Sequence, residues 1–492
     1  MRNIPPVGTL LLLAALLIAP PARAETGDPW EGRVYDRLVS EEWFDVRFGE
    51  GKIGFSTTSV EEGKEGYRIK GRAVIRLQVL GETQDLSFAQ TFHLDKKRQV
   101  LGFISLQNAG PQRMRTVGRL DGTRLTLTIG SAAGENDLAQ TVPVGIQFLE
   151  TISFTMGSQL REGFDRTVPV YVTSLRAVEP IRVVVKGRER LTIDGATIDT
   201  YRTETTMRGF VTDMWITPDG RTVRERESSI GVVTQRTSRD KALAFADNGI
   251  PVTSLITYSL VKPDRKLTRP DRIKRLSILV DGLGTPRDIP RDERQLVGTP
   301  LWREVGGKRV MTLPVTLVAK GPERILPLGE LREFAPDLVK QTPEIQSEHP
   351  EIVSLSRSLT KDALDGWGAA LAINRWVNEN IKKELVDSFT ALDVLRVKKG
   401  ECQAHTNLFA ALARAAGIPT RVTGGLVYST QADGFLYHAW PEVFVGEWVA
   451  MDPTLGESVA DATHLKLFDG GLAETIKLIG FVGRIGIRID EP

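Results

Sequence analysis

Gly400-Glu401-Cys402-Gln403-Ala404-His405-Thr406-Asn407-Leu408-Phe409-Ala410-Ala411-Leu412-Ala413-Arg414-Ala415-Ala416-Gly417-Ile418-Pro419 is the stretch from which the C-terminal fold follows. Leu408, Phe409, Leu412 and Ala416 recur at helical spacing, which predicts a helix from about Cys402 to Ala416 with those residues inward. Gly417 and Pro419 end it. Cys402 thus opens a helix, where unpaired backbone N–H groups and the positive end of the dipole favour negative charge. That placement predicts a depressed thiol pKa and a nucleophilic thiolate. The competing reading is a small buried residue that happens to start a helix, because free cysteine is among the most buried residue types.

Downstream, strands are predicted over Arg421 to Tyr428, Tyr437 to Val445 and Trp448 to Asp452. In the second, His438, Trp440, Glu442 and Phe444 share one face, and Ala439, Pro441, Val443 and Val445 the other. The last two strands read as a hairpin around Gly446-Glu447. A two-residue loop would set Val445 opposite Trp448 and send the Asp452 carboxylate to the face opposite His438. A three-residue loop, Val445 to Glu447 with Gly446 or a neighbour left-handed, pairs Phe444 with Trp448 instead. His438 and Asp452 then become diagonal neighbours roughly 7 Å apart. This register also gathers Val443, Val445, Val449 and Met451 on one apolar face, which favours it without reference to chemistry. A bulge near Pro441 would serve equally.

Upstream, Ala363, Leu364, Trp367, Leu371, Asn374, Val377 and Ile381 form one face of an amphipathic helix ending near Lys383. Helix first and sheet afterwards makes residues 359–492 an α+β domain. Residues 321–358 carry Pro322, Pro327, Pro336, Pro343 and Pro350, and read as a Pro-rich linker. From Trp30 to about Asp240 the apolar pattern has period two, with turn signals at Asp121-Gly122, Asp194-Gly195 and Pro218-Asp219-Gly220. Residues 25–248 are therefore expected to form a large antiparallel β-rich domain, curled or closed over one buried face. A small β-sandwich is expected over 249–320, from strands at Val252 to Val261, Ile273 to Val280 and Val310 to Val318. The fold class is α+β and multidomain, with β-rich domains first.

Residues 1–24 read as an address. Arg2, the apolar run Val7 to Ala19, and Ala22-Arg23-Ala24 describe a cleaved secretory signal. About 13 apolar residues are too few for a bilayer span, which needs roughly 20. No integral membrane segment is expected in the mature chain. Export without a possible internal disulfide points to a bacterial periplasmic or secreted protein. The 492 residues balance 64 Lys and Arg against 62 Asp and Glu, so nothing favours a nucleic-acid partner. A single cysteine excludes both an intramolecular disulfide and a Cys-rich zinc site.

The helix around Cys402, with His438-Ala439-Trp440-Pro441-Glu442-Val443 and Trp448-Val449-Ala450-Met451-Asp452-Pro453-Thr454 in that order, resembles the three motifs of the transglutaminase-like superfamily over Leu359 to Glu457. The β-rich N-terminal arrangement is also similar to exported bacterial members. Thr420 and Lys383-Glu384 depart from the usual pattern without touching these motifs. The resemblance implies a papain-like fold, a catalytic triad of Cys402, His438 and Asp452, and no metal or organic cofactor. The residue types give the same roles: nucleophile, general base and orienter. The first expectation is an exported cysteine acyl-transferase, amidase or protease acting on peptide, protein or peptidoglycan-peptide amides. The alternative is a non-catalytic envelope scaffold that uses the same domain to recognise a partner. His405 is expected to pack within its helix. Trp440 and Trp448 read as cleft walls or as cross-strand packing. His93, His349 and His464 show no evident partner in the sequence.

Overall fold

A computed structural model describes residues 29–48, 51–79, 82–109, 112–131, 134–156, 159–207, 210–227, 231–244, 250–251, 260–305, 308–342, 344–384, 390–470 and 484–491. The expected leader, residues 1–24, and most of the expected strand 252–261 lie outside them. Among the described residues no helix is long and apolar enough to cross a membrane. The chain divides into two compact units, residues 1–255 and 256–492.

The first unit is a large sheet. Its strands are β1 (Tyr35–Phe48), β2 (Gly51–Gly63), β3 (Gly66–Val79), β4 (Glu82–Asp95), β5 (Val100–Ala109), β6 (Gln112–Asp121), β7 (Arg124–Ser131) and β8 (Gly134–Thr141). After the short helix α1 (Ile152–Met156), which follows β9 (Gln147–Phe148), come β10 (Asp165–Val172), β11 (Ala177–Ile193), β12 (Ala196–Met207) and β13 (Phe210–Ile216). The unit ends with β14 (Thr222–Glu227), β15 (Val232–Thr237), helix α2 (Arg239–Leu243) and β16 (Ile250–Pro251). The strands run in the order β8 to β1, then β15 to β9, with β16 beside β3. All three turns read from the sequence are hairpins. Asp194 and Gly195 both take positive φ between β11 and β12, the geometry of a two-residue loop matched to strand twist. Gly122 and Gly220 turn the β6–β7 and β13–β14 pairs.

This sheet curls over its own core. Phe92, Phe103 and Leu125 from one wing pack in a single cluster with Phe148, Phe154 and Tyr171 from the other. The Tyr171 hydroxyl donates to Gln140 Oε1 at 3.0 Å, tying β10 to β8. Each such buried aromatic side chain contributes roughly 1.5–3 kcal/mol over its exposed state.

The second unit starts with β17 (Arg275–Asp281), β18 (Gln295–Val297), β19 (Leu301–Val305) and β20 (Lys308–Val318). Its helices are α3 (Pro350–Thr360), α4 (Gly366–Asn380), α5 (Ala391–Val397) and α6 (Cys402–Ala415). The pair β21 (Lys382–Lys383) and β22 (Lys399–Gly400) lies between them; β23 (Thr420–Ser429), β24 (Gly434–Phe444), β25 (Trp448–Ala450), β26 (Leu465–Asp469) and β27 (Gly486–Glu491) follow. The sheet β25-β24-β23-β26 is sandwiched. Val422, Val443, Val445, Val449 and Met451 pack on the helices. Leu426, Phe435 and Leu465 pack instead with Leu276, Ile278 and Leu313 of β17 and β20.

Two local outcomes differ from the sequence reading. Within 249–320, β16 joins β3 of the first unit, and β17 to β20 form one sheet whose edge is β27, the last strand described, sharing a core with β23, β24 and β26 instead of closing a sandwich of their own. Within 321–358, Pro350 opens α3 instead of forbidding it. A proline at the first helical position gives up only an N–H that has no partner there. The helix read from Ala363 begins later, because the Asp365 side chain accepts from the Gly368 N–H at 2.7 Å and caps α4.

Candidate active site

Helix α6 is buried along nearly its whole length, from Ala404 to Arg414. It ends as read: Gly417 has φ +88°, and the Ile418 N–H bonds back to the Ala413 carbonyl at 2.9 Å. At its other end Glu401 is the cap residue, its side chain accepting from the Gln403 N–H at 3.2 Å. Cys402 is the first helical residue and is half-buried.

The hairpin takes the three-residue-loop register. Phe444 pairs with Trp448, Val443 with Val449 and Glu442 with Ala450. Gly446 has φ +129°, a conformation that side chains rarely adopt, and a Cβ there would meet the Arg324 carbonyl oxygen at 2.6 Å. One further step, the Met451 N–H on the Pro441 carbonyl at 3.0 Å, carries the chain to Asp452. His438 Nε2 and Asp452 Oδ2 then lie 2.7 Å apart. On the helix side, the Ala439 N–H points at the Cys402 sulfur, and the Thr406 hydroxyl donates to the Ala439 carbonyl at 3.1 Å. The first turn of α6 is therefore stitched to the residue directly after His438.

Asp452 is fully buried and saturated with donors. Oδ1 accepts from the Thr454 and Leu455 N–H groups at 2.8 and 2.9 Å, and Oδ2 accepts from His438 and from His464 Nε2, the latter at 3.1 Å. Burial alone would raise its pKa. The charges and hydrogen bonds of His438 and His464 outweigh that and hold it far below the carboxylate range.

His464, which the sequence left without a partner, is fully buried between two carboxylates, its Nδ1 lying 3.1 Å from Asp461 Oδ1. Burial opposes its charge, but Asp452 and Asp461 together push its pKa up to about 9, so it is an imidazolium at neutral pH. Asp461 is held low, its burial offset by His464 and by Thr463, and neighbouring Glu457 is pushed up to about 7 by burial. The available local signal was Asp461 three residues before His464; the Asp452 contact is tertiary. His438, Asp452 and His464 each place a ligand-type atom within 4.8 Å of the others, as do Glu457, Asp461 and His464. The hydrogen bonds above occupy the same lone pairs that a cation would need.

The thiol departs from expectation. Burial raises its pKa well above the usual thiol value, and the Glu401 carboxylate adds to that, with Oε2 3.1 Å from Sγ. The Ala439 N–H pulls the other way without prevailing. The helix start favours the thiolate, but dehydration and the acidic cap beside the sulfur outweigh it. His405 packs as expected: it is fully buried, with Nδ1 2.9 Å from the Glu401 carbonyl and Nε2 3.2 Å from that of Ile381. Trp440 is fully buried and meets His464 edge-on with ring centres 5.1 Å apart, so it is packing and not a cleft wall. Trp448 packs on Phe444 and under the Arg421 guanidinium.

Residues 353–453 match the transglutaminase-like superfamily. Residues 44–235 match a protein family of unknown function, DUF3108. No curated protein matches the chain. Among solved structures, a candidate cysteine protease from Cytophaga hutchinsonii is similar at 16% identity, over 44% of this chain and 82% of that one, with a TM-score of 0.29. A β-barrel-like protein of the DUF1849 domain from Brucella abortus aligns at 14% identity over 40% and 95% of the two chains, with a TM-score of 0.31. A candidate protease from Parabacteroides distasonis aligns at 10% identity over 71% and 68%, with a TM-score of 0.17. The transglutaminase-like segment thus contains most of α3, all of α4, α5 and α6, and Cys402, His438 and Asp452.

Proposed function

We propose that the transglutaminase-like segment makes this chain an exported cysteine enzyme that breaks or exchanges peptide or isopeptide amide bonds. The observation that carries this is the 2.7 Å contact of His438 Nε2 with buried Asp452, on a strand whose next residue, Ala439, is bonded to the first turn of the Cys402 helix. That leaves His438 Nδ1 as the nitrogen for the thiol proton. As Nδ1 takes the proton, Sγ bonds to the amide carbon and the carbonyl oxygen gains the negative charge. Collapse of this intermediate breaks the C–N bond, and the imidazolium returns the proton to the leaving amine. Water or a second amine, deprotonated by His438, then cleaves the thioester and restores the thiol. Asp452 holds the ring and supports its charged form. Because burial and Glu401 favour the neutral thiol, proton transfer accompanies attack.

The raised thiol pKa is also the one observation that favours the second reading, an envelope recognition domain without turnover. Wild-type full chain is incubated with purified sacculi and, separately, with an activated peptide ester, and intact mass and released fragments are compared with Cys402→Ala. The expected result is an acyl adduct confined to Cys402, with turnover reduced about 10³–10⁴-fold in His438→Ala and Asp452→Asn. Absence of any adduct on the folded wild-type chain overturns the enzymatic reading and leaves the scaffold. Identical sacculus profiles for wild type and Cys402→Ala remove wall peptides as substrates.

A further inference from the structure

In the first unit, a cavity of about 500 Å³, part of it open to solvent, lies between strands β11 to β13 and the segment around α1. Ile152, Met156, Phe164, Ile181, Val183 and Met214 supply most of its wall, and among the described residues no charged side chain lines it. The two methionines give the wall an adaptable surface suited to a flexible apolar chain.

Three hydroxyl side chains, Ser153, Thr203 and Thr205, interrupt this lining, and the Thr205 hydroxyl donates to the Thr212 carbonyl at 3.3 Å. Thr203 is fully buried, and its Oγ1 has no hydrogen-bond partner. It begins a row that crosses the sheet on one face: Thr203 pairs with Met214, Met214 with Glu225, and Glu225 with Thr234. Glu225 Oε2 and Thr234 Oγ1 are likewise buried without a partner. Burial pushes Glu225 up to about 8, so at neutral pH it is an uncharged acid. On β12 and β14 the cations belong to the other face, where Arg202 and Arg226 hold Asp213 and, with Arg224, surround Trp215, while Arg236, on the Thr234 face of β15, is engaged by Glu42. An oily chamber therefore adjoins neutral hydrogen-bonding groups and offers no counter-ion. A carboxylate head would be dehydrated there without compensation, whereas an ester or amide would supply the missing acceptor.

We propose that this cavity binds a single acyl chain bearing an uncharged ester or amide head, with the tail between α1 and β11 and the head carbonyl accepting from the Thr203 hydroxyl. The test uses the full chain and displacement of the fluorescent apolar probe N-phenyl-1-naphthylamine. Monomyristoylglycerol and N-myristoylglycinamide are expected to displace it saturably, the tighter of the two naming a lipid or an acylated peptide as the source, and myristate is expected to bind at least about ten-fold more weakly. Val183→Phe, which fills the chamber, is expected to weaken both neutral ligands at least about ten-fold. Thr203→Val keeps the shape and removes the hydroxyl, and is expected to cost the neutral ligands about five-fold while leaving myristate unchanged. Non-saturable displacement overturns the proposal, as does unchanged affinity in a Val183→Phe chain with wild-type melting. Should Val183→Phe fail to fold, equal neutral-ligand affinity in Thr203→Val and wild type overturns it. Myristate binding as tightly as its esters does the same.

Discussion

Glu225 and Asp452 are both buried carboxylic acids, one in each unit, and their surroundings treat them oppositely. Around Glu225 there is only dehydration, and the acid keeps its proton up to about pH 8. Glu42, pushed up to about 7 by burial with Arg236 only partly opposing, follows the same pattern, and each has an oxygen without a partner. Around Asp452 there are two imidazoles and two backbone N–H groups, and the acid stays ionised. The same unit buries Lys466 against Glu442 at 3.1 Å and Asp469 at 3.3 Å, with Asp292 also in contact. Dehydration is comparable in both places; the difference is whether a counter-charge arrives with it. The first unit stores neutral acids beside an apolar chamber, and the second stores fixed charge near the Cys402 thiol. A chamber for uncharged ligands and a site for proton transfer need those two interiors respectively.

The most severe way to break the contrast is to remove the counter-charge from the second unit. In His464→Gln, Asp452 and Asp461 lose the imidazolium between them, and the chain is expected to lose about 3–5 kcal/mol of stability at pH 6. The sign with pH is fixed by the raised pKa. The contribution of His464 is complete below about 6.5 and disappears as pH rises through about 9, so the deficit measured by urea unfolding shrinks between those values. A deficit independent of pH would mean that His464 acts by shape and not by charge.

The converse change sharpens the first unit. Below about pH 4.5 Glu225 is protonated in both the folded and the unfolded chain; between 4.5 and 8 only the unfolded chain ionises, so its burial destabilises progressively more until about pH 8. Glu225→Gln lacks that titration. It is expected to gain about 2–3 kcal/mol over wild type at pH 8, less than the full shift implies because local hydration relieves part of the penalty, and to gain nothing at pH 4. Equal stability of the two chains at both pH values would show that Glu225 has an unseen partner.

How much of this could be read in the sequence depended on the range of the interactions. Gly446 and the alternation from His438 to Val445 fix the hairpin register locally, and the register alone brings His438 to Asp452. Asp194-Gly195 determines its hairpin for the same reason. The ends of α6 were legible because Glu401 and Gly417 act within one turn. His464 was not, because its charge needs Asp452 as well as the nearby Asp461, and β26 brings it to Asp452 only by pairing with β23. Nor was the protonation of Glu225, since nothing in Thr222–Glu227 announces that one of its glutamates faces inward without a cation. The thiol fell between these cases: its acidic neighbour is adjacent in sequence, but its dehydration is a property of the packed unit.

The smallest test returns to that thiol. In Glu401→Gln the side-chain oxygen still accepts from the Gln403 N–H, so the cap survives, while the negative charge 3.1 Å from the sulfur is removed. Two of the influences that raise the Cys402 pKa, the Glu401 charge and its hydrogen bond, weaken together, and burial, the largest, stays. The midpoint of iodoacetamide labelling against pH is therefore expected to fall and to remain above that of an exposed thiol. If the midpoint in Glu401→Gln does not move, dehydration alone sets the thiol, and the acidic cap serves the helix and not the sulfur.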